Sequence, residues 1–229
     1  LLAAFTAVSA AAGATGTAQG QPTDRPGGGP NAAEPVTILA LGDSLTAGYG
    51  LPRGQGLVPR LEAALNASGP PVRVLDAGVS GDTSAGGRAR LAWALSDPSL
   101  SGKPPEAAIV ALGANDMLRA LDPASTRANL DAILAALAER RIPTLLAGML
   151  AQRNLGPEFV TAFEAIYPDL ARKHGAILYP FLLDGVAAEA ALNQPDGIHP
   201  NARGVDELVR RLLPSAQALV GQALARRAA

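Results

Sequence analysis

From Val36 onward, short unbroken apolar runs alternate with stretches in which apolar residues recur every three or four positions. The unbroken runs predict strands at Val36–Leu41, Val72–Ala77, Ala107–Leu112, Thr144–Met149 and Ala176–Tyr179. The periodic stretches predict helices near Leu57–Ala67, Ala85–Leu95, Ser125–Arg140 and Glu158–Lys173, with Ala202–Leu213 and Ser215–Arg226 closing the chain. Strands that are apolar without alternation are typically covered by helices on both faces. Regular strand–helix alternation favours a mostly parallel sheet joined by right-handed crossovers. The expected fold class is therefore α/β, and in open sheets of this class ligands bind beyond the carboxyl ends of the strands. Trp93, on a helical run with Leu91 and Leu95, is expected in the core.

The polar motifs fall at those carboxyl ends. Gly42-Asp43-Ser44-Leu45 follows the first strand, Gly78-Val79-Ser80-Gly81-Asp82-Thr83 the second, and Gly113-Ala114-Asn115-Asp116 the third. Far downstream, Asp196-Gly197-Ile198-His199-Pro200 holds an acid and an imidazole three positions apart. A serine hydroxyl is a weak nucleophile until a base takes its proton, and that base needs a third group to orient it. The chain has only two histidines. His174, in Ala171-Arg172-Lys173-His174-Gly175, has the pattern of a cationic helix end before a glycine, which leaves His199. Ser44, His199 and Asp196 read as nucleophile, general base and orienting acid of a serine hydrolase. Pro200 is expected to open the last helix. Ser80 and Ser84 lie outside any G-x-S-x-G elbow and suit turn or cap roles.

Composition narrows the alternatives. A net charge of −1 and an aromatic fraction of 3% in 229 residues argue against a nucleic-acid partner. The absence of cysteine excludes a thiol nucleophile, a thiolate metal cage and a lipid-modified cysteine anchor. No cofactor is expected. A metal could use Asp43, Asp116, Asp196 and His199, but no second histidine is near in sequence and no H-E-x-x-H occurs, so none is expected either. Residues 1–18 are small, apolar and uncharged, with Ala12-Gly13-Ala14 as an A-x-A processing site. The expectation is a signal-peptide remnant, too short to span a bilayer, and hence an exported protein with no stable membrane anchor in its mature domain. Residues 19–35 read as a Gly- and Pro-rich linker ahead of a hydrolase domain over 36–229.

Together these blocks resemble the GDSL or SGNH hydrolase family, and within it the bacterial periplasmic arylesterase, acyl-CoA thioesterase I and lysophospholipase L1 group. Gly42-Asp43-Ser44-Leu45-Thr46-Ala47-Gly48-Tyr49 matches the first family block and Gly81-Asp82-Thr83-Ser84 the second. Gly113-Ala114-Asn115-Asp116 matches the third, and Asp196-Gly197-Ile198-His199-Pro200-Asn201 the fifth. The resemblance covers nearly all of Val36 to Leu213.

The resemblance implies a three-layer, flavodoxin-like fold with a five-stranded parallel sheet ordered 2-1-3-4-5 and helices on both faces. That order brings Ser44, Gly81 and Asn115 around one pocket. It implies a serine esterase that forms an acyl-enzyme with small-molecule esters of short to medium acyl chain, with thioesters and lysophospholipids as further substrates, in the periplasm or outside the cell. The backbone N–H groups of Ser44 and Gly81 and the side-chain amide of Asn115 are implied to form an oxyanion hole. Asp43 and Asp116 are expected to hydrogen-bond backbone in their loops, and Tyr49, with Met149–Gly156 and Leu182–Gln194, to shape the substrate groove. Leu155 stands in that groove where relatives carry an aromatic residue. A carbohydrate O-acetylesterase or an acyltransferase would use the same groups, whereas a non-catalytic binding domain should lack one of Ser44, Asn115 or His199.

Overall fold

The computed structural model describes residues 34–100 and 102–229; the expected leader remnant at 1–18, and the linker at 19–35 except its last two residues, lie outside the described residues. Five strands, β1 (Val36–Gly42), β2 (Val72–Gly78), β3 (Ala107–Ala111), β4 (Thr144–Ala147) and β5 (Ile177–Tyr179), form one sheet. Its order is β2-β1-β3-β4-β5, and every neighbouring pair is parallel. This is the α/β order that the family resemblance implies.

Among the described residues, eight α-helices accompany the strands: α1 (Ser44–Ala47), α2 (Leu57–Ser68), α3 (Ser84–Ala94), α4 (Ala114–Leu118), α5 (Pro123–Glu139), α6 (Pro157–Glu164), α7 (Ile166–His174) and α8 (Ala202–Arg227). α2 and α8 pack together on one face of the sheet, and α3, α5 and α7 cover the other. β3 and β4 are buried at every position, as their unbroken apolar runs require. β2, at the sheet edge, leaves Arg73 and Asp76 exposed.

Register decides where the chemistry can sit. Gly42 at the end of β1 pairs with Gly78 on one side and Ala111 on the other. The three strands therefore end level, and the turns that follow them emerge side by side.

Several elements differ from the sequence expectation, each for a local reason. The helix expected at Glu158–Lys173 is split into α6 and α7 at Ala165. Pro168 has no N–H to give the carbonyl four residues back, at Glu164, so one continuous helix loses a bond there. The two helices expected at the end are one, with Pro214 inside. Leu208, Leu212, Ala216 and Leu219 continue one buried stripe through the proline, and their burial outweighs the lost hydrogen bond. Nor does Pro200 open that helix. Asn201 is its cap, accepting from the Gly204 N–H at 3.0 Å, while Pro200 pairs in extended form with Asn193. Trp93 is 66% exposed rather than in the core. α3 buries Ser84, Gly87, Leu91 and Ala94, and a residue two positions from Leu91 lies on the far side of the helix.

At the opposite end of α8, Arg227 forms an ion pair with Glu106, just before β3, and donates to the Glu34 carbonyl ahead of β1. Among the described residues, no helix is long and apolar enough to cross a membrane.

Candidate active site

Ser44 follows β1 by one residue and opens α1. Its Oγ lies 2.8 Å from Nε2 of His199. The other ring nitrogen, Nδ1, lies 2.7 Å from Oδ2 of Asp196. Asp196 uses its second oxygen, Oδ1, to accept the backbone N–H groups of His199 at 3.0 Å and Ile198 at 2.9 Å. These bonds, the His199 N–H first, pull the carboxyl down to about 2, so it is ionised at any pH where the imidazole could act as a base. A carboxylate on Nδ1 favours the tautomer that carries its proton there and leaves Nε2 free to accept from Ser44.

The turns after β2 and β3 close the site from the other side. Gly81 has φ +87°, in the left-handed region that favours glycine. Its carbonyl accepts from Arg119 at 2.8 Å. The Asn115 amide nitrogen donates to the Asp82 carbonyl at 2.9 Å and faces Asp43 Oδ2 at 3.4 Å. Neither the Ser44 nor the Gly81 backbone N–H has an acceptor among the described residues. Ser44, Gly81 and Asn115 all line the cavity described below, so two unpaired backbone donors and one loosely held side-chain hydrogen belong to residues at its wall.

Two aspartates brace this arrangement. Asp43 is fully buried and caps α1, accepting the Leu45 N–H at 3.0 Å. Burial raises its carboxyl to about 6, against the lowering effect of that N–H. Asp116 bonds away from its own loop, contrary to the sequence expectation. It accepts the Ser84 N–H at 2.7 Å and hydroxyl at 2.5 Å, and the Thr126 hydroxyl at 3.1 Å. It thereby locks the start of α3 to α5, and it commits Ser84 to a structural bond. Ser80 lines the cavity but has no imidazole partner among the described residues. His174 ends α7 ahead of Gly175 and bonds Asp131 on α5 at 2.6 Å, far from the Ser44 turn in function. No three acidic or imidazole side chains converge as metal ligands among the described residues.

A cavity of about 540 Å³ opens beside Ser44. One end is lined by Ser44, Gly81, Asn115 and His199, and its walls include Met117, Leu118, Met149, Leu150, Leu183 and Ala187. Tyr49 stands at the mouth, its ring centroid 4.7 Å from that of His199. Residues 149–152 contribute to the wall, but Leu155 does not; it packs against the hydrophobic core instead. The short turn at Arg153–Leu155 rolls its side chain inward, away from the groove predicted for it.

A serine bonded to an imidazole, a carboxylate behind it and free donors around it have the geometry of acyl transfer. Comparison with known proteins agrees. The model of the GDSL-like Lipase/Acylhydrolase family matches residues 40–206, which span every element of the site. The chain belongs to this family.

Among its relatives, Esterase TesA of Pseudomonas aeruginosa is 35% identical over 184 residues, covering 80% of this chain and 89% of that protein. Thioesterase 1/protease 1/lysophospholipase L1 of Escherichia coli K12 is 36% identical over 170 residues, covering 74% of this chain and 78% of that protein. The crystal structure of AlinE4, an SGNH-hydrolase family esterase, superposes with a TM-score of 0.68 at 48% identity, covering 81% of this chain and 97% of that one. The chain is thus a GDSL-family serine esterase, an enzyme that hydrolyses small-molecule esters.

Two side chains near the site act in ways the sequence did not show, and Gln194, the end of the stretch expected to shape the groove, does not line the cavity. Arg90 of α3 reaches beneath the turns to bond the Asp82 carboxylate at 2.5 Å and the Gly42 carbonyl at 2.8 Å. It ties the strand end before Ser44 to the turn after β2. Gln194 binds the loop of His199, as described below.

Proposed function

We propose that Ser44 is the nucleophile, His199 the general base and acid, and Asp196 the group that orients the imidazole. The observation that carries this reading is the unbroken chain of contacts from Ser44 Oγ to His199 Nε2 at 2.8 Å and from His199 Nδ1 to Asp196 at 2.7 Å. Ser44 Oγ attacks the ester carbonyl as its proton passes to Nε2. The negative oxygen that develops is met by the N–H groups of Ser44 and Gly81 and by the Asn115 amide. The imidazolium then protonates the leaving alkoxide, and the acyl group stays on Ser44 until water, activated by the same imidazole, releases it.

The acyl chain lies in the cavity walled by Met117, Leu118, Met149, Leu150 and Leu183. Apolar walls favour an acyl chain over the hydroxyls of a sugar ester, which speaks for esters and thioesters of short to medium chain. Residues 1–18, small, uncharged and bearing Ala12-Gly13-Ala14, support an exported enzyme.

The test is initial rates on p-nitrophenyl esters of graded acyl length, with Ser44→Ala beside the wild type. Hydrolysis that peaks at one chain length and vanishes in the variant supports both the serine mechanism and the acyl cavity. Hydrolysis at the wild-type rate in Ser44→Ala overturns the mechanism. A flat length profile overturns the assignment of the cavity.

A further inference from the structure

His199 and Ser44 belong to segments 155 residues apart, and their contact needs something to hold the two segments in register. Gln194 makes that connection. Its Nε2 donates to the Tyr49 carbonyl at 2.7 Å and to the Pro200 carbonyl at 3.0 Å. Its backbone N–H donates to the His199 carbonyl at 2.7 Å, and its own carbonyl accepts from the Gly197 N–H at 2.9 Å. Both carboxamide hydrogens end on carbonyl oxygens, so the position suits an amide nitrogen and repels a carboxylate.

The amide oxygen of Gln194 lies against Gly50, where an added Cβ would come within 2.2 Å of it. Gly50, at φ +74°, leaves the space that the carboxamide fills. Other ties of the His199 loop run elsewhere. Asn193 donates to the Val186 and Glu189 carbonyls, and Asn201 to that of Ala191, which fixes the loop to residues 186–191 but not to Ser44. Among the described residues, the Gln194–Tyr49 bond is the only hydrogen bond besides Ser44–His199 that joins residues 44–50 to residues 193–200. Tyr49 in turn rests its ring on the imidazole.

The geometry points to Gln194 as a positioning residue that sets the separation between the imidazole and the Ser44 hydroxyl. This rests on the Ser44–His199 reading above. Gln194 does not itself line the acyl cavity, so its loss removes no direct contact with substrate. It acts on the proton-transfer step instead, where a displacement of about 1 Å costs on the order of 10²-fold.

The experiment compares Gln194→Met, which keeps length and loses the donors, with Gln194→Glu and Gly50→Ala. Each is assayed for kcat and KM on one p-nitrophenyl ester and scaled to its folded fraction. The low-field proton NMR signal of His199 Nδ1–H reports the bond to Asp196. The expected result is a 10- to 100-fold fall in kcat, KM within about twofold of wild type and a retained low-field proton. Gly50→Ala, which pushes the carboxamide aside, gives a similar loss that does not add to that of Gln194→Met.

A wild-type kcat in Gln194→Met, or a fall matched by the loss of folded protein, overturns the proposal. So does loss of the low-field proton, which would mean that Gln194 supports Asp196 and not the Ser44 contact. Ser44→Ala run alongside keeps the two readings apart: an inactive Ser44→Ala beside a fully active Gln194→Met rejects the positioning role alone.

Discussion

The amide nitrogen of Asn115 lies 3.4 Å from Oδ2 of Asp43, a length at which an N–H···O bond is weak. Its other hydrogen is spent firmly on the Asp82 carbonyl at 2.9 Å. On the proposed mechanism, that loosely held hydrogen is the one available to the ester carbonyl oxygen as it turns negative, while the firm bond to Asp82 stays in place. Its contribution then grows with charge development, which is what accelerates a reaction. Asn115→Ala should lower kcat by about 10²–10³ with little change in KM. Asn115→Asp, which sets a second carboxylate beside Asp43, should be worse still. Steady-state kinetics on one ester decides both.

Asp196→Asn keeps the shape of the loop but presents an amide to His199 Nδ1. The imidazole then has reason to place its proton on Nε2, facing Ser44, and cannot accept from it. A fall in kcat of up to about 10⁴ is expected, with the fold unchanged by circular dichroism. A variant within tenfold of wild type would mean that the imidazole holds its tautomer without the acid.

Asp43 gives stability a pH dependence of unusual sign for a carboxylate. Its folded-state value of about 6 lies above the ordinary 3.8, because burial disfavours the charge. Between those values the folded protein holds more protons than the unfolded chain. The contribution is full below about pH 3.8 and is lost as the pH rises through about 6, a change on the order of 3 kcal/mol. Asp43→Asn removes it. The stability of the variant relative to wild type, from urea unfolding, should rise by that order between pH 4 and pH 7. Asp196, lowered to about 2, works the other way: its contribution is present above pH 3.8 and lost as the pH falls through about 2.

Asp116 accepts two bonds from Ser84 and one from Thr126, all buried. Asp116→Ala leaves those donors without partners in an apolar setting. The expected loss is roughly 3 kcal/mol, read as a lower urea midpoint at unchanged slope. Ser84→Ala, which removes one donor and keeps the carboxylate, should cost less.

The sheet was legible because most of its strands are apolar runs that an alternating chain covers with helices on both faces; β2, at the edge with Arg73 and Asp76 exposed, is the exception. Ser44, Gly81, Asn115, Asp196 and His199 stood out as candidates because each sits in a turn directly after a strand or in a compact motif. What escaped the sequence acts across distance. Nothing near Arg90 marks it, and Gln194 was read as groove and not as a tie, since the Gly42 and Tyr49 carbonyls they reach lie on distant segments. Trp93 and Leu155 were misjudged for a related reason: a residue's face depends on a helix's rotation or a turn's geometry, which residue type alone does not specify. Pro168 and Pro214 make the same point in opposite directions. Pro168 falls in the first turn of α7, just after the break from α6, and Pro214 is carried through by the buried stripe around it.

Helix α8 runs without interruption from the cap beside His199 to the clamp between Arg227 and Glu106 at the far rim of the sheet. All five strands and the Ser44 turn precede it in the chain. During synthesis the strands and the Ser44 turn are therefore made before residue 199, and the Ser44–His199 contact can form only once that residue has been added. A fluorogenic ester would light up only in molecules that have completed that step. On the proposed mechanism, turnover then reports that the two distant segments have met.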